Sequence, residues 1–158
     1  LIDSHDTARF LYTCGEKKEK LKLAAALQLL MPGMPMIYYG DEYGMTGGPD
    51  PDCRRGMVWD ATYQDTAIHH WYQSLIQVRK KFPCITEGSI ITVQTVDEAG
   101  LIILTRQLSD QKITLIFHGK EAEVKLPEYT GQPDLITGNP FNGILKAYET
   151  IAINSSSL

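Results

Sequence analysis

The segment Leu23 to Tyr39 is almost wholly apolar. It is interrupted by Gln28 and cut near its middle by Pro32, Gly33 and Pro35. That break constrains the chain more than any other feature. A membrane helix needs about 20 uninterrupted apolar residues, so the segment reads instead as a buried helix followed by a buried strand. The helix is expected over Glu16 to Met31, with Leu23, Leu27, Leu30 and Met31 on one stripe and Leu21 and Ala24 beside it. Pro32 ends it, because proline clashes with the preceding turn and pushes Met31 out of the α region. Lysines crowd its first turns and oppose the helix dipole, so only the glutamates there help. Met36-Ile37-Tyr38-Tyr39, bounded by Pro35 and Gly40, suits a strand buried on both faces, as in a parallel sheet.

Around this centre the pattern repeats. Leu1-Ile2-Asp3-Ser4 reads as the end of a strand whose start lies upstream. The first residue sits inside an apolar stretch with no methionine, and a chain cut from something longer is expected. Asp41 to Gln64 is a long loop rich in Gly, Pro and Asp, and loops of that length in compact domains are usually functional. A second helix is expected from Thr66 to Phe82, with Asp65 as N-cap and Ile68, Trp71, Tyr72, Leu75, Ile76 and Phe82 as its buried stripe. Pro83 closes it.

After Pro83 the helical period disappears. Strands are expected at Ile90–Val96, Leu101–Gln107, Lys112–His118, Ala122–Leu126, Asp134–Thr137 and Ala147–Asn154, separated by turn signals. This spacing predicts an antiparallel sandwich. Ser155-Ser156-Ser157 reads as a frayed tail.

Several function classes are excluded. A net charge of −4 and the lack of any long Lys/Arg run disfavour nucleic acid and anionic membranes as partners. The three cysteines, Cys14, Cys53 and Cys84, are odd in number and widely spaced, with no CxxC, so neither a disulfide framework nor a structural zinc site is expected. With no leader-like segment at the start, this favours a reducing compartment, and a cytoplasmic location is expected. No cofactor or metal is expected.

Three segments could carry chemistry. Ser4-His5-Asp6 follows a strand end, where a βα unit delivers side chains to ligands; a capping Asp beside a surface His is the plainer alternative. Asp41-Glu42 follows a buried strand and invites an acid/base reading. Neighbouring strand residues point to opposite faces, however, so one carboxylate satisfied by backbone donors and one solvated is the better reading of these two residues by themselves. Gly47-Gly48-Pro49-Asp50-Pro51-Asp52-Cys53-Arg54-Arg55 is a shaped loop with acceptors and donors suited to a sugar, or an acidic turn with a salt bridge. His69, His70, His118 and the methionines read as structural.

In this order and spacing, these segments resemble the α-amylase family of glycoside hydrolases, within it the branch of neopullulanase, cyclomaltodextrinase and maltogenic amylase. Leu1-Ile2-Asp3-Ser4-His5-Asp6-Thr7 is similar to the family's fourth conserved region. Most members have Asn before His-Asp, and Ser4 is typical of this branch. Gly33 to Glu42 looks like the last barrel strand, and Met45 to Arg55 like the segment after it, although the branch usually has Asn where Pro49 stands. The resemblance implies the fold class α/β plus all-β. Residues 1–84 would be the last two βα units of a TIM (β/α)8 barrel, and residues 85–158 a C-terminal antiparallel β-sandwich domain.

It also implies roles. Asp6 would be a catalytic carboxylate that grips the 2- and 3-hydroxyls of the distorted sugar, and His5 would bind the same sugar. Asp50 and Arg54 would hold a glucose unit further from the cut bond. A retaining glycosidase needs a nucleophile and an acid about 5 Å apart. Those two carboxylates belong to earlier barrel strands, so this chain alone is expected to be inactive. The implied partners are an α-glucan and the missing N-terminal part of the barrel, with self-association of the fragment as a further expectation. The sandwich is expected to fold alone, with residues 1–82 mobile, self-associated or docked on it. Two alternatives stand beside this. One is a non-catalytic carbohydrate-binding or structural β-sandwich, with Tyr129 and Phe141 as sugar platforms. The other is an α-glucosidase or transglycosylase of the same family.

Overall fold

The computed structural model describes residues 1–156. The helices are α1 (Phe10–Thr13), α2 (Lys18–Leu30), α3 (Thr66–Lys81) and α4 (Pro83–Thr86). The strands are β1 (Ser89–Val96), β2 (Leu101–Leu108), β3 (Gln111–His118), β4 (Val124–Lys125), β5 (Ile144–Leu145) and β6 (Thr150–Asn154). β1, β2, β3 and β6 pair antiparallel in that order, while β4 and β5 make a separate ribbon. Among the described residues, no helix is long and apolar enough to cross a membrane.

Alternation along β3 and β6 divides the interior into two cores, because successive strand residues face opposite ways. Ile113, Leu115, Phe117 and Ala152 join Leu21, Leu29, Ile68, Tyr72 and Leu75 from the helices. Ile116, Ile151 and Ile153 turn the other way and meet Leu126, Phe141 and Leu145 from the ribbon layer. The sheet is therefore sandwiched between α2/α3 on one face and a thin β layer on the other. Of the three arrangements expected for residues 1–82, the described structure has them docked on the sheet.

Local chemistry explains the helix ends. Asp65 accepts the backbone N–H groups of Ala67 and Ile68 at 2.9 and 3.0 Å and so caps α3. Its second oxygen meets Lys18 at 2.7 Å, and Lys17 meets Glu121 at 2.5 Å. Of the lysines that oppose the α2 dipole, Lys17 and Lys18 are thus each matched by an acid from another element. Arg79 donates to the carbonyls of Leu29, Met31 and Gly33 and satisfies the α2 C-terminus.

Five expectations change. First, α2 buries Leu21, Ala25, Ala26, Leu29 and Leu30, a stripe rotated from the expected one. The helix is apolar on two sides. Leu27 and Met31 line a groove of about 550 Å³ with Leu1, Ile2, Phe10 and Met34, and Met34 is 96% exposed. Second, Leu1–Ser4 and Met36–Tyr39 form no strand ladder, because a parallel strand needs neighbours that this stretch does not supply. Third, the strand expected at Asp134–Thr137 is a turn organised by the buried Asp134 carboxylate, which accepts N–H groups from Ile136, Thr137 and Ala152. The strand expected at Ala122–Leu126 shrinks to Val124–Lys125. Fourth, Phe141 is a core residue and Tyr129 packs half-buried against it, so neither is an open sugar platform. Fifth, Ser155 is buried, with its N–H on the Lys112 carbonyl and its hydroxyl 2.9 Å from that of Thr114. The tail is pinned that far, and Ser157 lies outside the described residues.

The Asp65 cap carries a measurable load. Asp65→Ala should lower the urea-unfolding free energy by about 1 kcal/mol, and Asp65→Asn by less. Equal stability of all three proteins would remove the cap from the account. The Lys18 pair also holds the Asp65 carboxyl below its ordinary range. A depressed acid pKa adds stability above the unfolded value near 4, and this is lost as pH falls through the folded one. The Asp65→Ala penalty should therefore shrink in acid.

Candidate functional site

The site starts from a turn. The N–H of Ser4 donates to Thr7 Oγ1 at 3.3 Å, and that of Asp6 to Ser4 Oγ at 3.2 Å. Asp3, just before the turn, is buried and accepts the Phe10 N–H at 2.7 Å, which fixes the start of α1. The turn is thereby closed on itself, and His5 and Asp6 project outward. His5 Nε2 lies 3.3 Å from Asp6 Oδ1, and both side chains are about two-thirds exposed, at 67% and 69%.

Arg9 ties this turn to the rest. Its guanidinium is fully buried, donates to the Tyr39 carbonyl at 2.8 Å and to Asp41 Oδ1 at 2.9 Å, and lies within 4.5 and 4.8 Å of the Tyr38 and Tyr39 ring centres. Its backbone N–H reaches the Gly47 carbonyl at 2.9 Å. One residue thus holds the first segment, the Tyr38–Asp41 segment and the start of the long loop.

Internal bonds shape that loop. Asp52 receives Arg55 through two bonds of 2.6 and 2.9 Å and the Gly48 N–H at 2.6 Å. The Arg55 bonds, followed by Gly48, hold its carboxyl below the usual range. A Cβ on Gly47 would sit 2.7 Å from the Asp52 carbonyl oxygen, so only glycine allows this approach.

The loop then returns to the turn. The Arg54 Nε–H donates to the His5 carbonyl at 2.8 Å and lies 2.9 Å from Asp50 Oδ1, while Nη2 is 3.8 Å from Asp6 Oδ1. The buried Cys53 thiol also points at the His5 carbonyl, at 3.4 Å. His5, Asp6, Asp50 and Arg54 therefore share one rim. It presents carboxylate acceptors beside imidazole and guanidinium donors, the mix that recognises a polyhydroxylated ligand. All four side chains are about half or more open to water, so their mutual ion pairs contribute little stability. Among the described residues, no His/Cys/Asp/Glu group is arranged to hold a metal.

The Asp41-Glu42 reading is corrected in its detail. Asp41 is buried on Arg9, and Glu42 is the one that accepts a backbone N–H, from Gly40 at 2.8 Å. Both are structural. His69 stacks on Tyr43 with ring centres 4.4 Å apart. His118 is buried, with Nδ1 2.7 Å from the Lys146 carbonyl.

The sequence reading missed Arg9. It sits two residues beyond the turn motif and has no local pattern to mark it, since its partners are 30 and 32 positions away. With Asp3 and Asp41 it forms a buried trio of two acids and one base. One proton on the acids makes the trio neutral, which is what a low-dielectric interior favours. Burial, then the neighbouring Asp3, pushes the Asp41 carboxyl up to about 8, against the opposing pull of Arg9.

The sign follows from proton binding. A carboxyl whose folded pKa is raised retains a proton that the unfolded chain gives up above about pH 4, so stability falls from there to about pH 8. The slope is at most about 1.4 kcal/mol per pH unit. Asp41→Asn, which cannot ionise, should gain stability relative to the parent as pH rises from 5 to 8. A difference in urea midpoint that stays constant over that range would contradict the proton retained on Asp41.

Comparison with known proteins follows the same segments. Residues 1–74 match the family model described as Alpha amylase, catalytic domain. The chain is 36% identical over 149 residues to Neopullulanase 2 of Thermoactinomyces vulgaris, which takes in 90% of this chain and 26% of the relative. It is 36% identical over 146 residues to a Cyclomaltodextrinase of Geobacillus thermopakistaniensis, covering 89% of this chain and 25% of that protein. The crystal structure of a maltogenic amylase from S. marinus superposes with a TM-score of 0.86 at 27% identity, over 97% of this chain and 22% of that one. The chain therefore spans about a quarter of the length of these curated relatives.

Proposed function

This chain belongs to the α-amylase family of glycoside hydrolases, and on that premise we propose that it is the C-terminal part of a retaining enzyme acting on α-glucans, with no turnover by itself. The observation that carries the reading is the meeting of Arg54 with the His5 carbonyl, Asp6 and Asp50 on one exposed rim. Asp6 grips the hydroxyls of the sugar whose bond is cut, and its bonds tighten as the ring flattens toward an oxocarbenium-like state. Such tightening lowers the barrier only because it is stronger there than in the ground state. His5 binds the same sugar. Asp50 and Arg54 hold a neighbouring glucose, and Arg54 also locks the His5 backbone. The nucleophile and the acid come from the rest of the barrel.

The two-sided apolarity of α2 supports that division. The groove formed by Leu1, Ile2, Phe10, Leu27 and Met31 is the face on which the preceding barrel strands pack. Without them, that face drives self-association. We take residues 1–84 as the barrel part and 85–158 as the β domain. All three thiols are unpaired, which supports a reducing, cytoplasmic setting.

Two measurements test this. The purified chain incubated with pullulan, starch or cyclodextrin should release no reducing sugar, and reproducible turnover that co-purifies with it would refute the division of labour. A chimaera carrying this chain in place of the matching stretch of Neopullulanase 2 should hydrolyse cyclodextrin. In it Asp6→Asn should lower kcat/KM by roughly 10² to 10³. Unchanged kinetics in that variant would remove Asp6 from catalysis.

A further inference from the structure

We propose that a second site, remote in sequence from the His5–Asp6 rim, binds an α-glucan without cutting it: the cleft of about 230 Å³ between α2, α3 and the turn that precedes β6. The inference rests on the α-glucan reading above. The cleft shares no residue with the rim. Two aromatic rings line it, Trp71 from α3 and Tyr148 from the turn, together with Glu19, Lys22, Lys146 and Glu149.

Both rings are fixed before any ligand arrives. The Trp71 indole N–H is bonded to the Lys22 carbonyl at 2.9 Å, so the ring offers surface and not a donor. Tyr148 lies 3.4 Å through its hydroxyl from Glu121, and the Lys20 ammonium sits 5.1 Å from its ring centre. Tyr148 also has a backbone φ of +56°, in the left-handed region that glycine occupies freely and a bulky side chain rarely does. The surrounding turn enforces it. The Lys146 N–H donates to Glu149 Oε2 at 2.7 Å, and the Lys146 carbonyl lies 2.7 Å from His118 Nδ1. A strained tyrosine kept where glycine would be easier is the mark of a side chain with a task.

Charge narrows the ligand. Two carboxylates and two ammonium groups line the cleft and cancel. An anion meets Glu19 and Glu149, and a cation meets Lys22 and Lys146, whereas a neutral polyol finds acceptors and donors together. Sugars present flat C–H faces to aromatic rings and hydroxyls to charged groups. The volume is smaller than the roughly 300–1,000 Å³ of an enclosing ligand pocket. It suits one or two rings of a longer chain that continues over the surface.

The test is titration of the full ¹⁵N-labelled chain with maltopentaose. The indole N–H of Trp71 and the amides of Ala147, Tyr148 and Glu149 should shift saturably, while the Trp59 indole, outside the cleft, serves as control. Tyr148→Gly removes the ring and relieves the backbone, so it should fold and bind about tenfold more weakly at these signals. Tyr148→Ser should do the same. Asp6→Asn should leave the cleft shifts intact. Silent cleft signals at millimolar maltopentaose overturn the second site. If the His5–Asp6 and Asp50–Arg54 amides move meanwhile, the rim reading stands alone. Unweakened binding in the folded Tyr148→Gly protein, or equal shifts with cellopentaose, also overturns it.

Discussion

The buried guanidinium of Arg9 is the contact on which the N-terminal half depends. It lies beside two adjoining tyrosine rings, bonds Asp41 and the Tyr39 carbonyl, and fixes Gly47 through its own backbone. A buried ion pair is weak evidence for stability, since desolvation consumes much of its attraction. Its value here is positional. Without it, the turn bearing His5 and Asp6 and the loop bearing Asp50 and Arg54 are joined by the weak Cys53 thiol contact and by exposed Arg54 bonds, and exposed pairs hold geometry poorly. The proton that Asp41 retains makes such a cluster tolerable in the interior, because the trio of Asp3, Asp41 and Arg9 is then neutral.

The architecture follows from two kinds of alternation. Period-two alternation along β3 and β6 separates Ile113, Leu115 and Phe117 from Ile116, and so divides the interior into a helix-side core and a ribbon-side core. Helical periodicity in α3 does the same work with Ile68, Tyr72, Leu75 and Val78. The two join at α4, where Cys84 and Ile85 enter the helix-side core. The chain is the last part of a (β/α)8 barrel with an antiparallel β domain after it.

Legibility in the sequence tracked the range of the forces. Asp65 as the cap of α3, Pro32 after α2 and the β1–β2–β3 meander were readable, because caps, proline and alternation act within a few residues. Members of the rim were readable as motifs, and the structure brings them together through Arg54. What was not readable depended on distant partners. The deep face of α2 could not be chosen while both faces were apolar. Arg9 has no neighbour in sequence that signals burial. Asp134 looked like the start of a strand, whereas its carboxylate replaces a missing ladder with side-chain acceptors. Ser4 is a smaller case. Its hydroxyl accepts the Asp6 N–H, a task that the side-chain oxygen of Asn performs equally well.

One consequence concerns handling. β1 ends the main sheet, and its eight residues, Ser-Ile-Ile-Thr-Val-Gln-Thr-Val, include no charge and no proline. Ile90, Ile91 and Val93 are open to water along it. Natural proteins blunt such margins with lysine, proline or a bulge. Here the register irregularity between Ile90 and Thr92 is the one such device in the strand. A concentrated preparation therefore faces a colloidal hazard that no gain in melting temperature removes, because the strand is already formed and available in the native molecule.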